Sequence, residues 1–224
     1  AIVFQLVSLG FAPLIVVQPL GVVAMVLTNV INSRVNGVSP DRKVTQSIAL
    51  AVGSIGIFVT ISAIYAVEHP FSDQQLWTIV ILLLAVLGVT LTAFAVFRDR
   101  LRAMFYIVAA GILYGFVVTL AKVVINRVQS GQIDMLIVVC IAALVSAVLL
   151  GGYFVQTAYS VGSPDLVIAG LTVVDPLVAV GIAVVVLGEA QNFPPLAVVG
   201  FVVAGITAIF GVVRLARHHP QTHR

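Results

Sequence analysis

The chain has 224 residues, 61% of them hydrophobic and only 8% charged. Soluble domains carry about 25% charged residues, so a water-facing surface cannot be built here, and a soluble enzyme, a nucleic-acid binder and a disordered chain are excluded. The net charge of +3 sits in short polar stretches and the tail rather than on one helix face, which also argues against nucleic acid.

A bilayer core about 30 Å thick takes a helix of about 20 apolar residues. Residues 1–9 read as the tail of a cut-off span. Full spans follow at 13–32, 45–66, 76–97, 103–125, 133–160, 166–188 and 196–215. The runs are continuous and lack the in/out alternation of a membrane barrel. The expected fold is therefore an all-α polytopic membrane helix bundle of seven full spans plus a remnant. Because Ala1 already lies in an apolar run, the chain is expected to lack its true N-terminus. Cys140 falls inside a span, so there is no disulfide framework.

Basic residues mark the cytoplasmic side of a membrane protein. Alternate connectors and the tail hold Arg34, Arg42 and Lys43, then Arg98, Arg100 and Arg102, then Arg214, Arg217 and Arg224. The opposite set holds only Lys122 and Arg127. This asymmetry predicts a cytoplasmic C-terminus, in a plasma membrane of bacterial inner-membrane type by composition.

Two segments look alike. Val16-Val17-Gln18-Pro19-Leu20 resembles Val173-Val174-Asp175-Pro176-Leu177, and the same offset sets Asn32 opposite Glu189. The predicted topology runs the first span inward and the second outward, so the copies are inverted. Inverted repeats are how many secondary transporters build two states around one site. The division expected is a truncated first half-repeat at 1–66, a connecting helix with its loops at 67–102, a second half-repeat at 103–215 and a basic tail at 216–224. Four spans per repeat and one connector give about nine helices in the intact protein.

Phe11-Ala12-Pro13, Val17 and Pro19-Leu20-Gly21 resemble the third helix of NIPA-type proteins, proposed magnesium transporters within the drug/metabolite transporter superfamily. Ala158 through Pro176 and on to Leu187-Gly188-Glu189 resembles the closing half of an EamA-type domain, with Gly111, Tyr114, Gly115 and Lys122 fitting its opening helix. The sequence departs from that pattern at Asn32, where a glutamate is common, and at Gln18, which stands opposite Asp175. The resemblance implies a transporter fold, and Mg²⁺ as its cargo on the NIPA branch.

Asp175 is the sharpest candidate. It lies nine residues past Leu166, about 14 Å into its helix, and an acid at that depth costs at least ~2.5–3.5 kcal/mol. Pro176 donates no backbone hydrogen bond and clashes with the preceding turn, so freed carbonyls are expected to join Asp175 in holding a cation or polar solute. Gln18 and Pro19 are the pseudo-symmetric counterpart, Gln18 serving either the solute or helix–helix bonding. Tyr114 and Gln156 are further candidates for a polar path, alongside Thr119, Tyr153 and Tyr159. Glu189, at the far end of its helix, gates the mouth by pairing with Lys122 or Arg127, or else is a solvated interfacial charge. Lys122, near an outer helix end, has the alternative of snorkelling to the headgroups. Gly111 and Gly115 form a GxxxG packing pair. Asp175 is the one metal-ligating candidate.

No phosphate cradle, HExxH pattern or GxSxG elbow appears, so neither enzymatic activity nor a cofactor is expected. The leading reading is a secondary transporter working by alternating access at two proline-broken helices. Its expected partners are the lipid bilayer and a small solute or cation such as Mg²⁺, with a homodimer left open. An exporter of an organic metabolite, drug or lipid-linked sugar, and a non-transporting membrane scaffold for an enzyme complex, stay as alternatives.

Overall fold

The computed structural model describes residues 7–21, 42–67, 70–97 and 102–218. These are helical, with no strand among the described residues. The helices are α1 at 14–21, α2 at Arg42–Tyr65, α3 at Asp73–Phe97, α4 at Ala103–Gln129, α5 at Met135–Val161, α6 at Pro164–Val185 and α7 at Pro195–His218. Four helical stretches are long and apolar enough to cross a membrane: Asp73–Val96, Ala103–Gln129, Met135–Val161 and Leu166–Val185. The apolar parts of the other two long helices, Val52–Tyr65 and Pro195–Gly211, are shorter. Large apolar side chains stand exposed along these helices, among them Ile81 and Leu84 on α3, Leu149 on α5 and Val199 on α7. Contiguous apolar surface of this extent is what a bilayer covers. The chain thus has the make-up of an integral membrane protein.

The helices divide into two compact units that do not follow chain order. The first comprises residues 1–14 and 68–189, the second 15–67 and 190–224.

In the first unit α4 is central and packs along both α5 and α6, with α3 alongside α4 and α5. Glycine permits the closest approach. A Cβ on Gly111 would lie 2.6 Å from the Val174 Cβ, and one on Gly115 would lie 2.7 Å from the Val178 Cβ. Gly170 of α6 answers from the other side, pressed on Ile107 of α4. At one end of this unit Phe94, Phe105, Tyr106, Tyr153 and Phe154 of α3, α4 and α5 make an aromatic cluster, with ring centroids 5.5–6.4 Å apart.

The opposite end of the first unit is where helix termini and polar groups meet. Ser72 and Gln75 open α3 as a reciprocal capping box: the Ser72 amide donates to the Gln75 Oε1 at 2.9 Å, and the Gln75 amide to the Ser72 Oγ at 3.3 Å. α4 closes with a Schellman turn in which Gln132 N–H bonds Arg127 O and Gly131 N–H bonds Val128 O, Gly131 taking φ +71°. Asp134 caps α5 by accepting from the Ile137 amide at 3.1 Å. α6 opens on Pro164 at its first position, where no amide partner is needed.

In the second unit α2 packs on α7. Phe58 lies 4.1 Å from Phe201, Phe201 lies 5.4 Å from Phe193, and Gly200 makes room for Ile61.

Three expectations are corrected. α6 ends at Val185, not 188, because Gly188 turns the chain at φ +72° although the sequence stays apolar. α6 is not broken at Pro176, nor α1 at Pro19: both stay helical through the proline. A proline removes one backbone bond, and the flanking bonds are enough to carry the helix on. The span expected at 13–32 is helical from 14, and its part beyond 21 lies outside the described residues.

Enlarging Gly111 or Gly115 to valine overpacks the α4–α6 contact and is expected to cost about 1–3 kcal/mol. Gly53→Ala, where a Cβ meets nothing within 4 Å, should cost nothing. Thermal unfolding of the three variants in one detergent checks the contrast.

Candidate functional site

Asp175 lies near the middle of the 22-residue α6. Gly111 presses on the same turn, since its added Cβ would lie 3.5 Å from the Asp175 amide. One α4 turn on, Tyr114 is within electrostatic reach of the carboxylate. Gly151 and Gly152 of α5 leave room for the Tyr114 ring, whose nearest carbon is 3.5 Å from a Cβ built on Gly151. The Asp175 Oδ1 is buried and has no hydrogen-bond partner among the described residues. An acceptor in that position lacks the compensation that buried polar groups otherwise find. Among the described residues no group of three His, Cys, Asp or Glu side chains comes together, so Asp175 stands as a single carboxylate.

The other candidates are distributed as follows. Gln18 is buried, and its Nε2 has no hydrogen-bond partner among the described residues. Pro19 is buried next to it in sequence. Gln156 is exposed on α5, as are Tyr153 and Tyr159, so these three do not form a buried polar path. Thr119 is buried and returns its hydroxyl to the Gly115 carbonyl at 2.9 Å.

Lys122 and Glu189 are both 2% exposed, and the Lys122 Nζ lies 3.5 Å from the Glu189 Oε1. Lys122 also donates to the Ala12 carbonyl at 2.8 Å, and Glu189 accepts from the Leu14 amide at 3.0 Å. This corrects the snorkelling reading. α4 runs on to Gln129, which sets Lys122 about 10 Å inside its helix end, in the packed interior. It also corrects the solvated reading of Glu189. The C-terminal end of α6 disfavours an anion, but past Gly188 the chain turns back, with the Glu189 amide on Ala183 O. That turn delivers the carboxylate to the Leu14 amide. The capped turn at 10–13 itself packs on α4: a Cβ on Gly10 would meet Ile125 at 3.2 Å and Gln129 at 3.0 Å.

A third cluster at the same end was missed by sequence reasoning. Arg127 is buried and hydrogen-bonds Asp134 at 2.6 Å and Asp73 as well. It thereby joins the start of α3, the end of α4 and the start of α5. Gln75 adds a tie to α6, its Nε2 donating to Val186 O at 3.0 Å. The available signal was the spacing of Arg127 and Asp134 across one short turn. Asp73, 54 residues away in the chain, gave none.

No family model matches the chain, and no solved structure matches it. It is similar to a protein of Corynebacterium glutamicum described only as uncharacterized. The two are 24% identical over 215 residues, 95% of this chain and 74% of the relative.

Asp134 generates a pH prediction. Partial desolvation works upward on its carboxyl, but the Arg127 hydrogen bond, the Ile137 amide and the guanidinium charge hold it below the ordinary aspartate range. A carboxyl lowered in the native state stabilises above its unfolded pKa, and the contribution is lost as pH falls through the native value. Asn keeps the cap and removes the charge. The thermal midpoints of wild type and Asp134→Asn should therefore differ at pH 7, begin to converge as pH falls past about 4, and meet only below the native value.

Proposed function

We propose that this chain is a secondary transporter that moves a small solute across the membrane by alternating access, with Asp175 as its binding group. The observation that carries this reading is the mid-helix carboxylate whose buried Oδ1 has no hydrogen-bond partner among the described residues. An acid within a span is costly and persists where it serves an ion or substrate path. The ion pairs elsewhere in the first unit set each charge against an opposite one, although the Arg127 Nε, like the Asp175 Oδ1, is buried with no hydrogen-bond partner among the described residues. Asp175, by contrast, is left for a ligand to complete.

Mg²⁺ is the cargo to test first. It retains several waters and needs only one or two carboxylates, which suits a single acid on a helix beside Tyr114. A small organic solute with a positively charged group is the second reading, favoured by the apolar neighbours Val174 and Val178. The repeat of Gln18-Pro19 in Asp175-Pro176, the drug/metabolite transporter resemblance and a nine-helix inverted architecture belong to the same proposal. So do a bacterial plasma membrane and a cytoplasmic C-terminus.

Two measurements test it. Proteoliposomes holding the protein should take up Mg²⁺, and Asp175→Asn should abolish the flux while the protein unfolds at a similar temperature. Flux that survives the substitution removes Asp175 from the mechanism. In a Cys140→Ser background, a cysteine at Gln132 should react with an impermeant maleimide on intact cells, and one at Arg102 only after permeabilisation. The reverse pattern overturns the orientation.

A further inference from the structure

Lys122, Glu189 and the 10–14 turn form a unit whose geometry asks for an explanation beyond stability. Replacing a buried ion pair by apolar side chains of similar volume is often neutral or stabilising, so the pair is not needed merely to hold α4, α6 and the turn together. Its spacing is informative. The ions stand 3.5 Å apart, longer than the 2.7–2.9 Å of a direct charge-assisted bond. Each is instead in full hydrogen-bond contact with the turn: Lys122 with Ala12 O at 2.8 Å, Glu189 with Leu14 N at 3.0 Å.

That arrangement has two satisfied states. With the turn seated, each ion holds a backbone group of opposite polarity, Lys122 at Ala12 O and Glu189 at Leu14 N. With the turn withdrawn, the ions need close by less than 1 Å to bond each other directly, and no buried charge is stranded. The freed Ala12 carbonyl and Leu14 amide then take water. A purely static clamp gains nothing from ions held just short of direct contact. A switch does, because interfaces with two discrete arrangements are what amplify small changes.

We propose that Lys122 and Glu189 are a polar latch that seats the 10–14 turn on this end of the first unit and releases it during the transport cycle. The polarity is specific: the cation belongs on the carbonyl side at Ala12, and the anion on the amide side at Leu14. The release step rests on the transport reading above, whereas the latch itself does not.

The test uses the full chain in proteoliposomes, in a Cys140→Ser background. Leu14 is 0% exposed, so a thiol at Leu14→Cys is hidden while the turn is seated, and the substitution leaves the backbone amide in place. Membrane-permeant N-ethylmaleimide should modify it slowly. Glu189→Gln should speed labelling about tenfold or more, given what removing one partner of a buried pair costs. The swapped pair, Lys122→Glu with Glu189→Lys, should not restore the slow rate, because it sets an anion on a carbonyl and a cation on an amide. An unchanged rate in Glu189→Gln, or protection restored by the swap, overturns the latch.

A second arm keeps Lys122 and Glu189 intact. Gly10→Cys with Ile125→Cys, side by side in the structure, should form a disulfide that stops Mg²⁺ flux until reductant is added. Undiminished flux in the oxidised protein overturns release. If the reduced protein carries no Mg²⁺ at all, the transport reading fails, and the labelling arm still decides the latch.

Discussion

A charge inside an apolar bundle must be met by an opposite charge or by an oriented backbone group, and that constraint organises the first unit. Helix termini are the one source of unpaired amides and carbonyls in such a bundle. Lys122, Glu189 and Arg127 accordingly gather at the end where α3 begins, α4 ends, α5 begins and the chain leaves α6. Arg127 lies between the starts of α3 and α5, with Asp73 in the first turn of one and Asp134 as the N-cap of the other. Glu189 is set at the Leu14 amide, and Lys122 is drawn to Ala12 O just upstream. The opposite end carries no comparable arrangement among the described residues. Aromatic rings fill it, and rings make no demand for polar partners.

Close packing supplies the second constraint. α4 and α6 approach so nearly that methyl groups at Gly111, Gly115 or Gly170 would collide with the facing helix. Without a hydrophobic drive between helices in lipid, such small-residue contacts are a main source of association. They also set the register of α6 on α4. Gly111 meets the Val174–Asp175 turn, Gly115 meets the Val178–Ala179 turn, and Tyr114 between them is carried to the neighbourhood of Asp175. The glycines therefore hold the candidate site as well as the fold.

Much of this was legible in the sequence. Apolar runs bounded by charged turns located α2 to α7 to within a few residues, because a membrane span must be continuous and its connectors polar. GxxxG at Gly111 and Gly115 announced close packing. What failed depended on contacts. Lys122 was judged from a helix end at 125, but Asn126 and Arg127 continue α4, with Asp73 and Asp134 set against the guanidinium. Gly188 ended α6 early through its left-handed turn, while Leu187 beside it still read as span. Gln156 fell on an exposed face that near-uniform apolar periodicity did not distinguish from a buried one. The prolines were read by their local chemistry, and the neighbouring helical bonds outweighed it.

The three ionic features of the first unit differ in what they leave undone. Arg127 meets two aspartates that keep contact with solvent, so that cluster is a structural tie whose residual charge water can screen. Lys122 and Glu189 are buried, neutral as a pair and bonded to the 10–14 turn, so on the latch proposal their balance survives its departure. Among the described residues, Asp175 forms no ion pair, and its buried Oδ1 has no donor. Stability alone favours removing such a group, since an apolar side chain in its place would shed the desolvation cost outright. On the transport proposal, its presence in the middle of α6, on the turn that the glycine contact aligns with Tyr114, follows from a positively charged ligand that completes it for part of a cycle. On the same proposal, Lys122 of α4 and Glu189, just past the end of α6, are the pair suited to deciding when that ligand has access.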